Sequence, residues 1–159
     1  MACCPKSIIA EILKAKGAIK SVYFVACGGS YAGLHPGKYF LESESKELKV
    51  DHYSSNEFCH ATPKSLGENS IVITQSSSGN TPETVKAAEI AQKAGAASIV
   101  ITNKPESPLA QNGDYVLVPE KGSTANSGQA YSLKLAVEIL NQTEGYENYD
   151  EMQNGFDRI

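Results

Sequence analysis

Short apolar runs, each followed by a stretch with helical spacing, are the feature that most constrains the fold of this chain. The clearest runs are residues 21–26, 71–74 and 97–102. They are apolar at successive rather than alternate positions, so both faces must be covered, as in a parallel sheet between two helical layers. With weaker strands at 48–53 and 115–118, the sequence predicts an α/β fold. We expect a three-layer αβα sandwich around a five-stranded parallel sheet, of flavodoxin-like or Rossmann-like type.

Apolar residues spaced by three and four fill the gaps between these strands. They predict helices at residues 7–14, 34–47, 81–94 and from 126 or 127 to 140, with shorter turns at 56–61 and 108–111. Pro36 must lie in the first turn of its helix or bend it. Residues 141–159 are polar and weakly periodic. We expect them to bury little and to form a connector or edge helix after a domain of residues 1–140.

A run rich in hydroxyl groups stands where the strand at 71–74 gives way to a helix. Residues 76–83 read Ser-Ser-Ser-Gly-Asn-Thr-Pro-Glu. Thr81 is the expected helix cap and Pro82 the first helical residue, where a missing N–H costs nothing. A helix N-terminus exposes unpaired N–H groups and a partial positive charge, so it can hold a phosphate without a basic side chain. Gly79 is expected to adopt a positive φ or to let the backbone approach the ligand.

Serine, glycine and asparagine are also ordinary turn residues, but a second loop of suitable composition follows the strand at 21–26. It reads Cys27-Gly28-Gly29-Ser30-Tyr31-Ala32-Gly33. Ligands of open parallel sheets bind beyond the carboxyl ends of the strands. We therefore expect the two loops to bind the same ligand. The glycines do not follow the Gly-x-Gly-x-x-Gly order, and no Gly-Lys-Ser/Thr ending is present. The sequence therefore predicts no nucleotide or other cofactor.

Charge and composition argue against several classes of function. The chain has 159 residues and a formal net charge of −4, with its basic residues scattered, which disfavours nucleic-acid binding. No apolar run is long enough to span a bilayer and residues 1–16 contain no signal-peptide core, so we expect no membrane association and a cytoplasmic location. The four cysteines, at positions 3, 4, 27 and 59, lack a paired metal spacing. Free thiols and no metal are expected.

Residues 26–33 together with Ser76-x-Ser78-Gly79-x-Thr81-x-Glu83-Thr84 resemble the sugar isomerase (SIS) domain of phosphosugar-binding proteins. The resemblance covers about residues 21–140 and includes Thr-Asn-x-Pro-x-Ser-Pro-Leu-Ala at 102–110. It is closest to the tandem-domain branch, which includes the isomerase part of glucosamine 6-phosphate synthase and the fructosamine (fructoselysine) 6-phosphate deglycases. Synthase-type members commonly carry Ser-Thr-Lys where this chain has Ser127-Gly128-Gln129, which favours a deglycase-like member.

The resemblance implies a role for each matched position. The phosphate of a sugar phosphate would be held by Ser30, Ser76, Ser77, Ser78 and Thr81. The sugar would lie against Gly28, Gly29 and Ser127. Members of this branch pair as dimers or larger assemblies, so a homodimer is implied.

Tandem members take a catalytic glutamate and lysine from their second domain. The resemblance therefore implies that this chain is the amino-terminal half of a deglycase or sugar-phosphate (amino)isomerase, and catalytically incomplete alone. The candidates within it for proton transfer are Glu57, Glu83, Glu120 and His60. The alternative is a non-catalytic phosphosugar sensor. Such regulators usually carry an amino-terminal helix-turn-helix domain, for which we expect residues 1–20 to be too short.

Overall fold

Five parallel strands form the central sheet of the computed structural model, which describes residues 4–159. They are β1 (Ser21–Ala26), β2 (Lys49–Ser54), β3 (Ser70–Gln75), β4 (Ala97–Ile101) and β5 (Tyr115–Leu117). Their spatial order is β2-β1-β3-β4-β5, and every neighbouring pair is parallel. The predicted fold class is confirmed. The strand order changes direction between β1 and β3, which is where such sheets bind ligands.

Helices cover both faces of this sheet. They are α1 (Pro5–Lys16), α2 (Gly28–Glu44), α3 (Ser55–His60), α4 (Pro82–Lys93), α5 (Pro108–Gln111), α6 (Gly128–Thr143) and α7 (Tyr149–Asp157). Successive residues of β1 alternate between the layers, as the pleat requires. Val22 and Phe24 join the core formed with α1, α2 and α6, whereas Tyr23 and Val25 join the core formed with α3 and α4. This explains why the strand reads as continuously apolar.

Helix α2 begins at Gly28, not at residue 34 as the sequence predicted, and ends at Glu44 rather than at 47. Glycine is a poor helix former, so the pattern indicated a loop. Gly28 instead adopts φ 55° and turns the chain from β1 directly into the helix. Pro36 lies in the helix interior rather than in its first turn.

Tertiary packing stabilises this glycine-rich helix. The Ser132 hydroxyl of α6 accepts a hydrogen bond from the Gly37 N–H (3.1 Å) and donates one to the Leu34 carbonyl (3.0 Å). A Cβ at Gly37 would lie 2.4 Å from the Ser132 carbonyl oxygen. The two helices therefore touch backbone to backbone beside Pro36.

Residues 141–159 bury little, as expected, except at Phe156 of α7. Phe156 is 6% exposed, and the Tyr146 ring packs edge-on against Phe40 with centroids 5.2 Å apart. The Tyr149 hydroxyl donates to the carboxylate of Glu138, a residue of α6 that is only 3% exposed. Burial, followed by the hydrogen bond to Glu138, raises the pKa of Tyr149. The last helix is thus anchored by an apolar and a polar contact.

His52 of β2 is held in a neutral form by its surroundings. Its ring stacks on Tyr31 with centroids 3.8 Å apart, and its Nε2 is buried without a hydrogen-bond partner. Burial, and then the charges of His35 and Lys38, lower the pKa of His52 to about 4. Protonation of this ring is therefore unfavourable in the folded state.

We expect Tyr149→Phe to lower the free energy of unfolding by about 1–3 kcal/mol, because it leaves a buried carboxylate short of one donor. Urea denaturation measures the change. Tyr39→Phe is the matched control, since Tyr39 is 63% exposed, and it should stay within about 0.5 kcal/mol of the parent. Equal stabilities for the two variants would contradict the anchoring role of Tyr149.

We expect His52 to make the protein less stable in acid. The unfolded ring takes up a proton below about pH 6.5, whereas the folded ring resists protonation down to about pH 4. This contribution to the free energy of unfolding is therefore complete above pH 6.5 and is lost as the pH falls toward 4. His52→Gln should flatten the dependence in that window, and His60→Gln, at an exposed position, should not. Identical profiles for the parent and His52→Gln would refute the assignment.

Candidate functional site

A cavity of about 860 Å³ opens at the carboxyl ends of β3, β4 and β5. The segments that line it are the end of β3, the serine loop (residues 76–81), the loops after β4 and β5, and the first turn of α6. Because all strands are parallel, the loops that follow them meet at this one edge. The cavity lies beside the β1/β3 switch point.

The hydroxyls of the serine loop divide into two sets. Ser76 is 3% exposed. Its Oγ accepts the Gly79 N–H (3.2 Å) and pairs with Thr81 Oγ1 at 3.0 Å. Thr81 and Pro82 are the N-cap and first residue of α4, as predicted, although the Thr81 hydroxyl makes no capping bond. Ser77 and Ser78 are exposed and line the cavity. The inner pair holds the shape of the loop and the outer pair faces the cavity.

Gly79 adopts a φ of 69°, the first of the two alternatives that the sequence allowed. The backbone of Gly79 packs closely against another segment of the protein. A Cβ at Gly79 would lie 2.0 Å from Ser107 Oγ, and the Gly79 carbonyl accepts the Leu109 N–H at 3.0 Å. Ser107 is the N-cap of α5. Gly79 therefore fastens the serine loop to α5.

Gly28, Gly29 and Ser30 form the first turn of α2, where N–H groups lack intrahelical partners. The two glycines are exposed, and a Cβ at either would meet nothing within 4 Å. Ser30 is half-buried. These three residues do not line the cavity around Ser77 and Ser78; they lie at the end of the adjacent strand.

Ser127 is the N-cap of α6. Its hydroxyl accepts the Ala130 N–H (3.2 Å) and donates to the Thr124 carbonyl (3.0 Å). Ser127 and Gly128 both line the cavity. Because the hydroxyl is already engaged, the unpaired N–H groups at the start of α6 are the freer donors at this point.

Two basic side chains that were not predicted from the sequence also line the cavity. Lys104 follows β4, Lys121 follows β5, and both are exposed. The site had been predicted without basic side chains. Their position in the loops that follow two strands of the same sheet is the signal that would have found them.

Glu120 is the candidate for proton transfer that reaches the cavity. Its carboxylate accepts the Asn126 side-chain amide at 2.8 Å. Glu83 and His60 line a separate pocket of about 300 Å³ between α3 and α4, and Glu57 lies exposed on α3. Three of the four candidates are therefore away from the serine loop's cavity.

Two further properties concern the described part of the chain. Within residues 4–159, no three His, Cys, Asp or Glu side chains group as ligands for a metal ion. Cys3 lies outside these residues, and the described thiols of Cys4, Cys27 and Cys59 are free. None of the helices in this range has the length and apolar character to cross a bilayer.

Comparison with known proteins gives sequence relatives over most of the chain. The SIS domain family model matches residues 18–143. Fructosamine deglycase FrlB of Bacillus subtilis (strain 168) is 44% identical over 144 residues, which cover 89% of this chain and 44% of that protein. Fructoselysine 6-phosphate deglycase of Escherichia coli (strain K12) is 32% identical over 109 residues, covering 69% of this chain and 31% of that protein. The chain thus spans less than half the length of these relatives.

Solved structures share the architecture. A protein of Salmonella typhimurium LT2, provisionally named a phosphosugar isomerase, superposes with a TM-score of 0.92 at 49% identity, over 97% of this chain and 48% of that chain. The C-terminal domain of glucosamine-fructose-6-phosphate aminotransferase from Francisella tularensis has a TM-score of 0.76 at 18% identity, over 97% of this chain and 50% of that chain. The second likeness is one of fold alone. With a family model matching 18–143 and motifs after β1 and β3 as expected, this chain belongs to the SIS domain family.

Proposed function

We propose that this chain binds a sugar phosphate at the carboxyl edge of its sheet, as one domain of a fructosamine 6-phosphate deglycase or related sugar-phosphate (amino)isomerase. The observation that carries the proposal is the cavity where Ser77 and Ser78 face Lys104 and Lys121 around the start of α6. Hydroxyl, amide and ammonium donors converge there, which suits an anionic and polyhydroxylated ligand.

The phosphate would be held by the serine loop. We assign Ser77 and Ser78 to direct contact, because they face the cavity. Ser76 and Thr81 would act through their mutual hydrogen bond, which fixes the loop. Ser30 would approach from the first turn of α2, and the lysines would add long-range attraction that salt weakens.

The sugar would lie between the first turns of α2 and α6. Gly28 and Gly29 leave open space above their backbone, so a ligand can reach their N–H groups. Ser127 would contribute mainly by capping α6 and orienting its free amides. In this arrangement, neutral backbone N–H groups would bind the sugar hydroxyls, and the positively charged lysines would attract the phosphate.

The relatives favour an enzyme over a sensor, because the two sequence relatives described above are named as deglycases. We propose that the chain is the amino-terminal domain of such a protein, with residues 141–159 leading to a second SIS domain. The proton transfer of these enzymes would then use groups from both domains, and Glu120 is the candidate here. We also propose a cytoplasmic homodimer without nucleic-acid or membrane partners, as suits a sugar-phosphate enzyme.

We expect fructose 6-phosphate to raise the melting temperature of the protein. A ligand that binds only the folded state stabilises it by about 2.7 kcal/mol at a hundredfold excess over Kd. That corresponds to a shift of several degrees for a domain of this size. Ser78→Ala with Thr81→Ala should abolish the shift, because it removes one cavity hydroxyl and the hydrogen bond to Ser76. Differential scanning fluorimetry with a ligand titration measures both effects.

Two controls define this experiment. Ser43→Ala, at an exposed position near the far end of α2, should keep the full shift, and unphosphorylated fructose should produce none. A wild-type protein that ignores every hexose phosphate would refute the proposed function. A full shift in the double variant would place the phosphate away from the serine loop.

A further inference from the structure

We propose that Gln75 is a specificity-determining residue whose side-chain amide hydrogen-bonds the hydroxylated carbon chain of the ligand. The inference rests on the proposed function and adds to it a group that reads the sugar rather than the phosphate. It follows from where Gln75 lies, from what surrounds its amide, and from the hydrogen bond that the amide lacks.

Gln75 is at the centre of the carboxyl edge. It is the last residue of β3, in register with Ala26 of β1 and Ile101 of β4, and it directly precedes the serine loop. The five preceding residues of the strand are buried, whereas Gln75 is half-buried and lines the cavity. Its side chain therefore leaves the core at the switch point of the sheet.

Two glycines make room for the amide. A Cβ at Gly33 of α2 would lie 3.3 Å from Gln75 Nε2, and a Cβ at Gly128 of α6 would lie 2.5 Å from it. Neither glycine has a positive φ, so backbone geometry does not require glycine at either place. Alanine would favour the helix at both positions. The absence of side chains here is best explained by the space that the Gln75 amide occupies.

The amide also has unused hydrogen-bonding capacity. Gln75 Oε1 is buried and has no partner in the described residues. Because this atom is shielded from solvent, the ligand would meet the other end of the amide, which a half-turn about the last bond makes either the donor or the acceptor. A sugar hydroxyl has the same dual character, so it can satisfy whichever group faces it. A phosphate only accepts, and Lys104, Lys121 and the serine hydroxyls already serve it.

The first test replaces the amide by an apolar group of similar length. In Gln75→Leu we expect the Kd for fructose 6-phosphate to rise about tenfold or more, as the loss of one buried hydrogen bond predicts. The Kd for inorganic phosphate should stay unchanged, because the serine loop is intact. Isothermal titration calorimetry gives both constants, and the melting temperature without ligand checks the fold.

The second test displaces the amide without removing it. Gly128→Ala adds a methyl group within 2.5 Å of Gln75 Nε2 while favouring the helix, so the fold should be kept and the Kd for fructose 6-phosphate should rise. In a Gln75→Ala background the same change should cause no further loss, since the effect acts through the amide. Gly155→Ala in α7, with nothing within 4 Å of its Cβ, is the matched control and should leave both constants unchanged.

The outcomes separate this inference from the proposed function. If wild type and Gln75→Leu bind fructose 6-phosphate equally well, the inference is overturned and the proposed function stands. If Gln75→Leu weakens the binding of inorganic phosphate as much as that of fructose 6-phosphate, the residue shapes the site and does not contact the sugar. The inference is then also overturned. Additive losses from Gly128→Ala and Gln75→Ala would overturn the placement of the amide between the helices. Failure of the wild type to bind any hexose phosphate would remove both proposals.

Discussion

The contact between α2 and α6 is the constraint on which the site depends. The Ser132 hydroxyl of α6 bonds both to the Gly37 N–H and to the Leu34 carbonyl of α2. A Cβ at Gly37 would lie 2.4 Å from the Ser132 carbonyl oxygen, so the helices approach too closely for a side chain at position 37. One helical turn before this contact, toward the carboxyl edge, lie Gly33 on α2 and Gly128 on α6. Small residues four positions apart share a helix face. The same two stripes therefore bring the helices together and leave the gap in which Gln75 lies.

In the serine loop, one set of residues holds the shape of the loop and another faces the cavity. Ser76 and Thr81 satisfy each other, and Gly79 is held against Ser107, the N-cap of α5. Ser77 and Ser78 keep their positions because of these contacts and are left facing the cavity. A loop of this kind is preorganised, so less conformational freedom is lost when an anion binds. Gly79 allows the loop to pack against Ser107, so its contribution to ligand binding is indirect.

The sequence predicted the parts of this structure that depend on local pattern. The buried strands, the carboxyl-edge motifs and the N-cap position of Thr81 were all readable, because burial on two faces and helix starts leave marks within a few residues. The start of α6 was narrowed to residue 126 or 127. The start of α2 was misjudged, since Gly28 turns the chain into the helix with a positive φ, and Gly33 and Gly37 are explained only by their packing against Gln75 and α6. Lys104 and Lys121 were missed because each is separated from the serine loop by a crossover, and no spacing rule links them to it. Gln75 was missed because the glycines that leave room for its amide, Gly33 and Gly128, lie on other elements. The burial of Phe156 likewise depends on a groove formed by other helices.

A short series of contacts connects α7 to the cavity. Glu120 accepts the amide of Asn126, and Asn126 Oδ1 accepts Lys134 Nζ at 3.0 Å. The ammonium lies over the ring of Phe156, 5.4 Å from its centroid, where a cation is attracted by the aromatic face. Burial lowers the pKa of Lys134, so these contacts offset the cost of keeping its charge in a partly desolvated place. The carboxylate at the cavity is therefore oriented by Asn126, which is held in turn by Lys134 of α6 beneath Phe156 of α7. The final helix is thus part of the architecture of the site.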